Sequence, residues 1–206
     1  FSTLVARHVF SLCFPDFKVS ARWGPETLAG IEECASLHMR PDGSNIEQSP
    51  NYHRVVMNGL ATVALVRKIN DLPVPRRILS NIQRMAEFLM GVQTPDEGVP
   101  PLGDTAPTHD MREMLFLPSL FREDGRYRRA RPSAEQCFYL PNAESRACLA
   151  RPETPPLPKD AAFPDAGYYV MRSSWDRDAV YMTFDAGPHG YYHGHEDLFS
   201  IHLMAG

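Results

Sequence analysis

The chain has 206 residues, 43% of them apolar and 22% charged, with a formal net charge of -4. A chain of this length can bury a sizeable core as one large domain or two small ones. Its mild acidity gives no electrostatic ground for a nucleic-acid partner, and no apolar run approaches the roughly 20 residues that would insert in a membrane. The four cysteines (Cys13, Cys34, Cys137, Cys148) lack C-x-x-C spacing and read as free thiols. The chain opens on Phe1 and stops inside the apolar run Leu203-Met204-Ala205-Gly206, so neither end is expected to be a natural terminus.

The first part reads as helices. Gly24-Pro25-Glu26 carries a helix-start signal, and behind it Leu28, Ile31, Cys34, Ala35 and Met39 recur at helical spacing. Ser49-Pro50 repeats the signal with Ser49 as N-cap, ahead of Val55, Val56, Leu60, Val63 and Ala64 on one side. A third helix is expected from about Arg76 to Met90, with Ile78, Leu79, Ile82, Met85, Ala86 and Leu89 inward, and a fourth from Met111 to Phe121. Short connections such as Asp71-Leu72-Pro73-Val74-Pro75 imply antiparallel helix pairs packed side by side.

The texture then changes. Seven prolines lie between Pro132 and Pro164 without apolar periodicity, which reads as a linker or a wrapping loop. Gly167 to Arg172 and Ala179 to Phe184 are rich in β-branched and aromatic residues, and Trp175 to Asp178 between them makes an antiparallel hairpin. A third strand begins at Phe199. Helices followed by strands, without alternation, indicate successive domains rather than a βαβ sheet. The expected organisation is therefore 1–131 helical, 132–166 linker, and 167–206 the start of a sheet domain.

Two segments could carry chemistry. Asp185 to Asp197 holds His189, His193 and His195 with Glu196 and Asp197 in a glycine-punctuated loop. On an extended backbone His193 and His195 would share one side, suiting two ligands of one metal, or one ligand and one base. A surface turn with incidental histidines is the competing reading, and the cupin pattern fits poorly because the acids follow His195 immediately. The other segment runs from Arg40 to Arg54. It places Tyr52 in the first turn of a helix, near the positive end of the dipole, where a phenolate is favoured. A tyrosine packed on a neighbouring helix fits these local features equally well.

Taken together, the two segments resemble a known family. D-G-x-x-x-E-x-S-P-x-Y-H, Asp42 to His53, looks like the segment of heparinase II/III-type lyases that carries their tyrosine. G-Y-Y-V-M-R-S-x-W-D, Gly167 to Asp176, and F-D-A-G-P-H-G-x-x-H-G-H-x-D, Phe184 to Asp197, resemble that family's opening hairpin and histidine motif. Similar alginate and oligoalginate lyases share the layout.

The resemblance implies an α+β multidomain fold. A partial (α/α) toroid of antiparallel helices is followed by the first strands of an antiparallel β-sandwich, with the active site in the cleft between. It implies β-elimination on an anionic, uronate-containing polysaccharide or oligosaccharide, in a periplasmic or secreted enzyme. Tyr52 and His193 would be the catalytic proton-transfer groups, and His195 would bind zinc as some members do. The other metal ligands would lie beyond Gly206, and the residues that neutralise the uronate carboxylate upstream of Phe1. No organic cofactor is implied.

Glu47, Asp104 and Tyr192 are candidate substrate contacts, Asp104 because Pro100 to Asp104 resembles a loop near the family's cleft. Glu47 could equally stabilise its loop or pair with Arg54. His53 is expected to face away from Tyr52, and Arg122 to Arg131, with five arginines, reads as a solvated face that could also line the approach. Two other functions fit the same residues: a carbohydrate-binding relative without turnover, and a toroid glycoside hydrolase using a carboxylate pair such as Glu47 and Asp104.

Overall fold

The structure, a computed structural model, describes residues 1–106, 110–122, 124–134, 136 and 157–205. Cys137 and Cys148, and most of the Pro-rich stretch, lie outside the described residues. Cys13 and Cys34 are free thiols, as expected.

Four long helices build the first layer: α1 (Ser2–Cys13), α2 (Ser20–His38), α3 (Pro50–Ile69) and α4 (Arg76–Val92). α1 runs antiparallel to α2, with Leu4 against Gly30 and Ser11 against Gly24. α3 runs antiparallel to α4, since His53 near its start meets Met85 and Phe88 near the end of α4. The core between them contains Ile31, Met57, Leu60, Ala64, Ile78, Ile82, Met85 and Leu89, all essentially excluded from water. Packing of such faces, rather than helix propensity alone, holds helices of this length.

Several local expectations are corrected. The helix expected to open at Gly24 begins at Ser20, with Pro25 inside it. The rings of Phe10, Phe14, Phe17 and Trp23 pin that first turn. The carbonyl deprived of the Pro25 N–H belongs to Ala21, which is exposed to water. Val55 faces outward, and His53, Val56, Met57, Leu60, Ala61, Val63 and Ala64 form the buried stripe instead. Ser49 is the N-cap residue of α3, but its hydroxyl meets that of Thr105 at 2.8 Å, and Thr105 Oγ1 accepts the Asn51 N–H. The helix is thus capped through a distant loop. The expected fourth helix breaks into two single turns, α5 (Met111–Met114) and α6 (Phe116–Ser119), with Pro118 in the second.

The sheet has four antiparallel strands in sequence order, β1 (Ala161–Phe163), β2 (Tyr168–Arg172), β3 (Tyr181–Asp185) and β4 (Ile201–Met204). β1 falls inside the stretch read as linker. It pairs with β2 from Ala161↔Val170 to Phe163↔Tyr168, and β2 pairs with β3 from Tyr168↔Asp185 to Arg172↔Tyr181. One face is buried: Tyr168, Val170, Arg172, Tyr181, Thr183 and Asp185 alternate with more exposed neighbours. That face sits on the C-terminal end of α4. Phe163 packs edge-on to Phe88 at 4.7 Å, Arg172 Nη2 donates to the Gly91 carbonyl at 2.6 Å, and the Tyr181 hydroxyl donates to the Val92 carbonyl at 2.8 Å. The Arg172 guanidinium stacks on Trp175 at 3.9 Å, which fixes that side chain in the hairpin. On the other face Tyr169, Met171, Ile201 and Leu203 are exposed, the apolar alternation that a second sheet of a sandwich covers.

Candidate active site at the helix-sheet junction

Three loops meet where the sheet abuts the start of α3. The first, 39–49, is clamped to the turn before β2. Asp42 Oδ2 accepts the N–H groups of Asp165 and Ala166 at 2.9 and 3.0 Å, and Asp165 Oδ2 accepts the Asp42 N–H at 3.0 Å. Gly43 has φ +87 and leaves no room for a Cβ, which would lie 2.5 Å from the Arg84 carbonyl. Gln48 closes the loop. It takes φ +56 and donates its amide to the carbonyls of Ala166 at 2.8 Å and Pro188 at 3.1 Å.

The second loop, 102–105, lies over the start of α3, and the third, 186–200, carries the histidines. Gly190 presses on Gln48, the Tyr191 N–H donates to the Ile46 carbonyl at 3.3 Å, and the Asp104 N–H donates to the His193 carbonyl at 3.0 Å. Gly103, with φ +52, lets the two loops approach: a Cβ there would be 2.4 Å from the His193 oxygen.

The result brings together residues that the sequence separates widely. The rings of Tyr52 and His193 are stacked, with centroids 3.2 Å apart and planes 8° from parallel. They touch face to face instead of facing each other across an open gap. His193 Nδ1 lies 3.0 Å from Asp104 Oδ2, and His195 Nε2 lies 2.6 Å from Asp104 Oδ1. One exposed carboxylate therefore holds both histidines. These hydrogen bonds, first His193 and then His195, hold the Asp104 carboxyl below its usual range.

The other candidates differ in what they touch. Asp104, expected to meet substrate, spends both oxygens on the histidines. Glu47 is partly buried, with Oε2 lacking any hydrogen-bond partner, and Arg54 donates to Asn51 Oδ1 at 3.1 Å rather than pairing with Glu47. Tyr192 is 90% exposed within the histidine loop, free to meet a ligand. His189 is exposed and takes no part. His53 turns away from Tyr52 as expected, buried with Nε2 on the Met85 carbonyl at 2.9 Å; burial drops its pKa to about 4. Gln48, Thr105 and Tyr168 were not foreseen, and only their spatial neighbours reveal them.

Zinc at His195 calls for further ligands. Among the described residues no three His, Cys, Asp or Glu side chains converge as a metal cage, and the Nε2 of His195 is already engaged by Asp104. These residues do not make a zinc site by themselves, and no chemistry below is routed through one.

The arginine run faces elsewhere. Arg126 pairs with Asp124 and Glu87, and Arg129 with Glu97. Both line a cavity of about 610 Å³ between the end of α4 and the β2–β3 hairpin, which includes neither Tyr52 nor His193.

A helical layer, an antiparallel sheet seated on its edge, and a Tyr-His-Asp cluster at the junction define a helical-layer-plus-sandwich protein with a candidate acid-base site. The family models for the heparinase II/III N-terminus and the heparinase II/III-like C-terminal domain match residues 4–123 and 155–206. The chain belongs to the heparinase II/III family.

It is 25% identical to the heparin-sulfate lyase of Pedobacter heparinus over 201 residues, 96% of this chain and 28% of that protein. Identity to the heparin-sulfate lyase of Bacteroides stercoris is also 25%, over 92% of this chain and 27% of that protein. Among solved structures, a heparinase III superposes with a TM-score of 0.77 at 18% identity, covering 98% of this chain and 32% of that one. The heparan sulfate lyase HepC from Pedobacter heparinus gives 0.71 at 22%, covering 98% and 30%. The chain thus spans less than a third of the length of these relatives, and the toroid and sandwich architecture is the fold it shares.

Proposed function

We propose that the protein containing this chain is a polysaccharide lyase that cleaves a uronate-containing, sulfated glycosaminoglycan by β-elimination, with Tyr52 and His193 moving the protons. The observation that carries this is the stacked contact of the two rings, formed by side chains from different layers of the fold. Family membership and the names of the two heparin-sulfate lyase relatives support the reaction class and the substrate class. The periplasmic or secreted setting is carried over from the family resemblance alone. No helix among the described residues is long and apolar enough to cross a membrane.

The chemistry needs two proton transfers. A base removes the C5 proton beside the uronate carboxylate, the electron pair forms the C4–C5 double bond, and the C4–O bond breaks. An acid then supplies a proton to the departing oxygen. Because the rings touch, a sugar meets their shared edge and both groups approach one face of it. That suits removal of proton and leaving group from the same side. Tyr52 serves as acid and, in this syn case, also as base; His193 takes the base role only where the two leave from opposite faces.

Hydrolysis is the weaker reading. It needs a carboxylic acid and a carboxylate flanking the bond, whereas Asp104 is held by two imidazoles. Tyr52→Phe in the full-length protein is expected to abolish the ultraviolet-absorbing unsaturated product from heparan-type polymer. Retained product formation would remove Tyr52 from the mechanism. Polymer binding without product by the unaltered protein would instead indicate a non-catalytic relative.

A further inference from the structure

We propose that Asp104 is the positioning residue of this site, locking His193 in the tautomer whose free nitrogen is Nε2. The kinetic part of the inference rests on the lyase reading above; the tautomer part does not.

An ionised carboxylate has no proton to give, so each imidazole nitrogen within hydrogen-bond reach of it must be the donor. Asp104 Oδ2 meets Nδ1 of His193 at 3.0 Å, and Oδ1 meets Nε2 of His195 at 2.6 Å. In the neutral imidazole the first contact places the His193 proton on Nδ1 and leaves Nε2 with its lone pair free. Which nitrogen is free follows from the bond that the other makes.

The main chain fixes the same register, because the Asp104 N–H donates to the His193 carbonyl at 3.0 Å. Residue 104 therefore holds residue 193 at backbone and ring together. Stacking on Tyr52 then sets the plane of that ring. His193 Nε2 has no hydrogen-bond partner among the described residues, and 28% of the side chain remains exposed. An imidazole so held can accept a proton at one defined atom. Asp104 touches the ring and needs no contact with the sugar, which separates this role from substrate binding.

Two variants of the full-length protein test the lock. Asp104→Ala removes both acceptors, while Asp104→Asn offers one acceptor and one N–H donor, so it cannot accept from both histidines. Nitrogen-15 NMR on histidine-labelled protein near neutral pH, assigned with His193→Asn, reads the proton position without any turnover. The expected unaltered spectrum shows His193 protonated on Nδ1. Asp104→Ala should move the His193 proton toward Nε2. It should also lower kcat by about 10²- to 10⁴-fold on iduronate linkages, where His193 is the base, with KM little changed.

A His193 proton on Nε2 in the unaltered protein would overturn the proposal. So would an unchanged His193 spectrum in a folded Asp104→Ala variant, or a loss confined to KM. If the unaltered protein yields no unsaturated product while its His193 tautomer is as stated, the lyase reading fails and the lock stands.

Discussion

The hydroxyl of Tyr168 donates to the main-chain carbonyl of Gln48 at 2.9 Å, tying β2 to the turn that launches α3. Gln48 returns the contact through its side-chain amide, which spans Ala166 and Pro188. The turn before the tyrosine helix, the entry to the sheet and the start of the histidine loop therefore share one buried residue. Gln48→Ala should lower stability by about 2 kcal/mol, since two hydrogen bonds are lost and two carbonyls are left short of a partner. The backbone at Gln48 is left-handed, where glycine is at ease, so Gln48→Gly should be no worse than the alanine variant. Denaturant unfolding of the two variants measures both effects. A glycine variant clearly less stable than alanine would contradict the role given to the backbone.

Gly103 sets how closely the aspartate loop approaches His193. Gly103→Ala puts a Cβ 2.4 Å from the His193 carbonyl and 2.9 Å from that of Gln48, on a backbone with φ +52. The loops must separate, and displacement of a catalytic group by about 1 Å can reduce rate by about 10²-fold. The expected outcome is a loss of activity of that order with a stability loss of about 1–2 kcal/mol. Steady-state rates beside a thermal melt separate the two; full activity would show that the loops are not held in register here.

The sequence carried the helix count and spacing of α2 to α4, because their apolar stripes repeat at the helical period. It carried the hairpin for the matching reason, a period of two over β2 and β3. α1 carries the helical spacing too, in Phe1, Val5 and Val9, which line an apolar groove with Val55 and Gly59 of α3, yet it was not among the expected helices. β1 is only three residues long and is defined by its partner β2. Tyr52, His193 and Asp104 were each visible as candidates, yet the carboxylate bridge was not. It depends on a left-handed turn at Gly103 and on Gln48, features that three-dimensional contact alone reveals. Part of the tyrosine motif turned out to be scaffold: Asp42 clamps the turn before β2, Gly43 clears Arg84, and His53 is a core residue.

That buried histidine makes stability depend on pH. The His53 pKa falls from 6.5 in the unfolded chain to about 4 in the fold, through burial. Between those values the unfolded state binds the proton and the folded state does not, so folding stability rises with pH. The contribution is fully present above about pH 6.5 and is lost as pH falls toward 4, to a total of about 3 kcal/mol. His8 and His38 are also lowered by burial and act in the same direction. Urea unfolding at pH 7 and 4.5 should show the loss, and His53→Gln should flatten it. An unchanged slope in that variant would place the pH dependence elsewhere.

The stacked rings also bear on which uronate is cleaved. In a 4-linked glucuronate the C5 proton and the C4 oxygen lie on one face of the ring, whereas in iduronate, its C5 epimer, they lie on opposite faces. With Tyr52 and His193 in contact, no sugar fits between them, and both approach from one side. Glucuronate linkages match that arrangement without rearrangement. Iduronate requires the rings to part so that His193 can reach the far face. The expected order is therefore faster release of unsaturated product from glucuronate-rich heparan sulfate than from iduronate-rich heparin, read as kcat/KM by ultraviolet absorbance. Tyr52→Phe should remove acid and base together on glucuronate. His193→Ala should fall harder on any residual iduronate cleavage, where its Nε2 is the base. Equal rates on both epimers would mean that the ring contact opens freely during turnover, and the stereochemical preference would then have to come from other residues of the cleft.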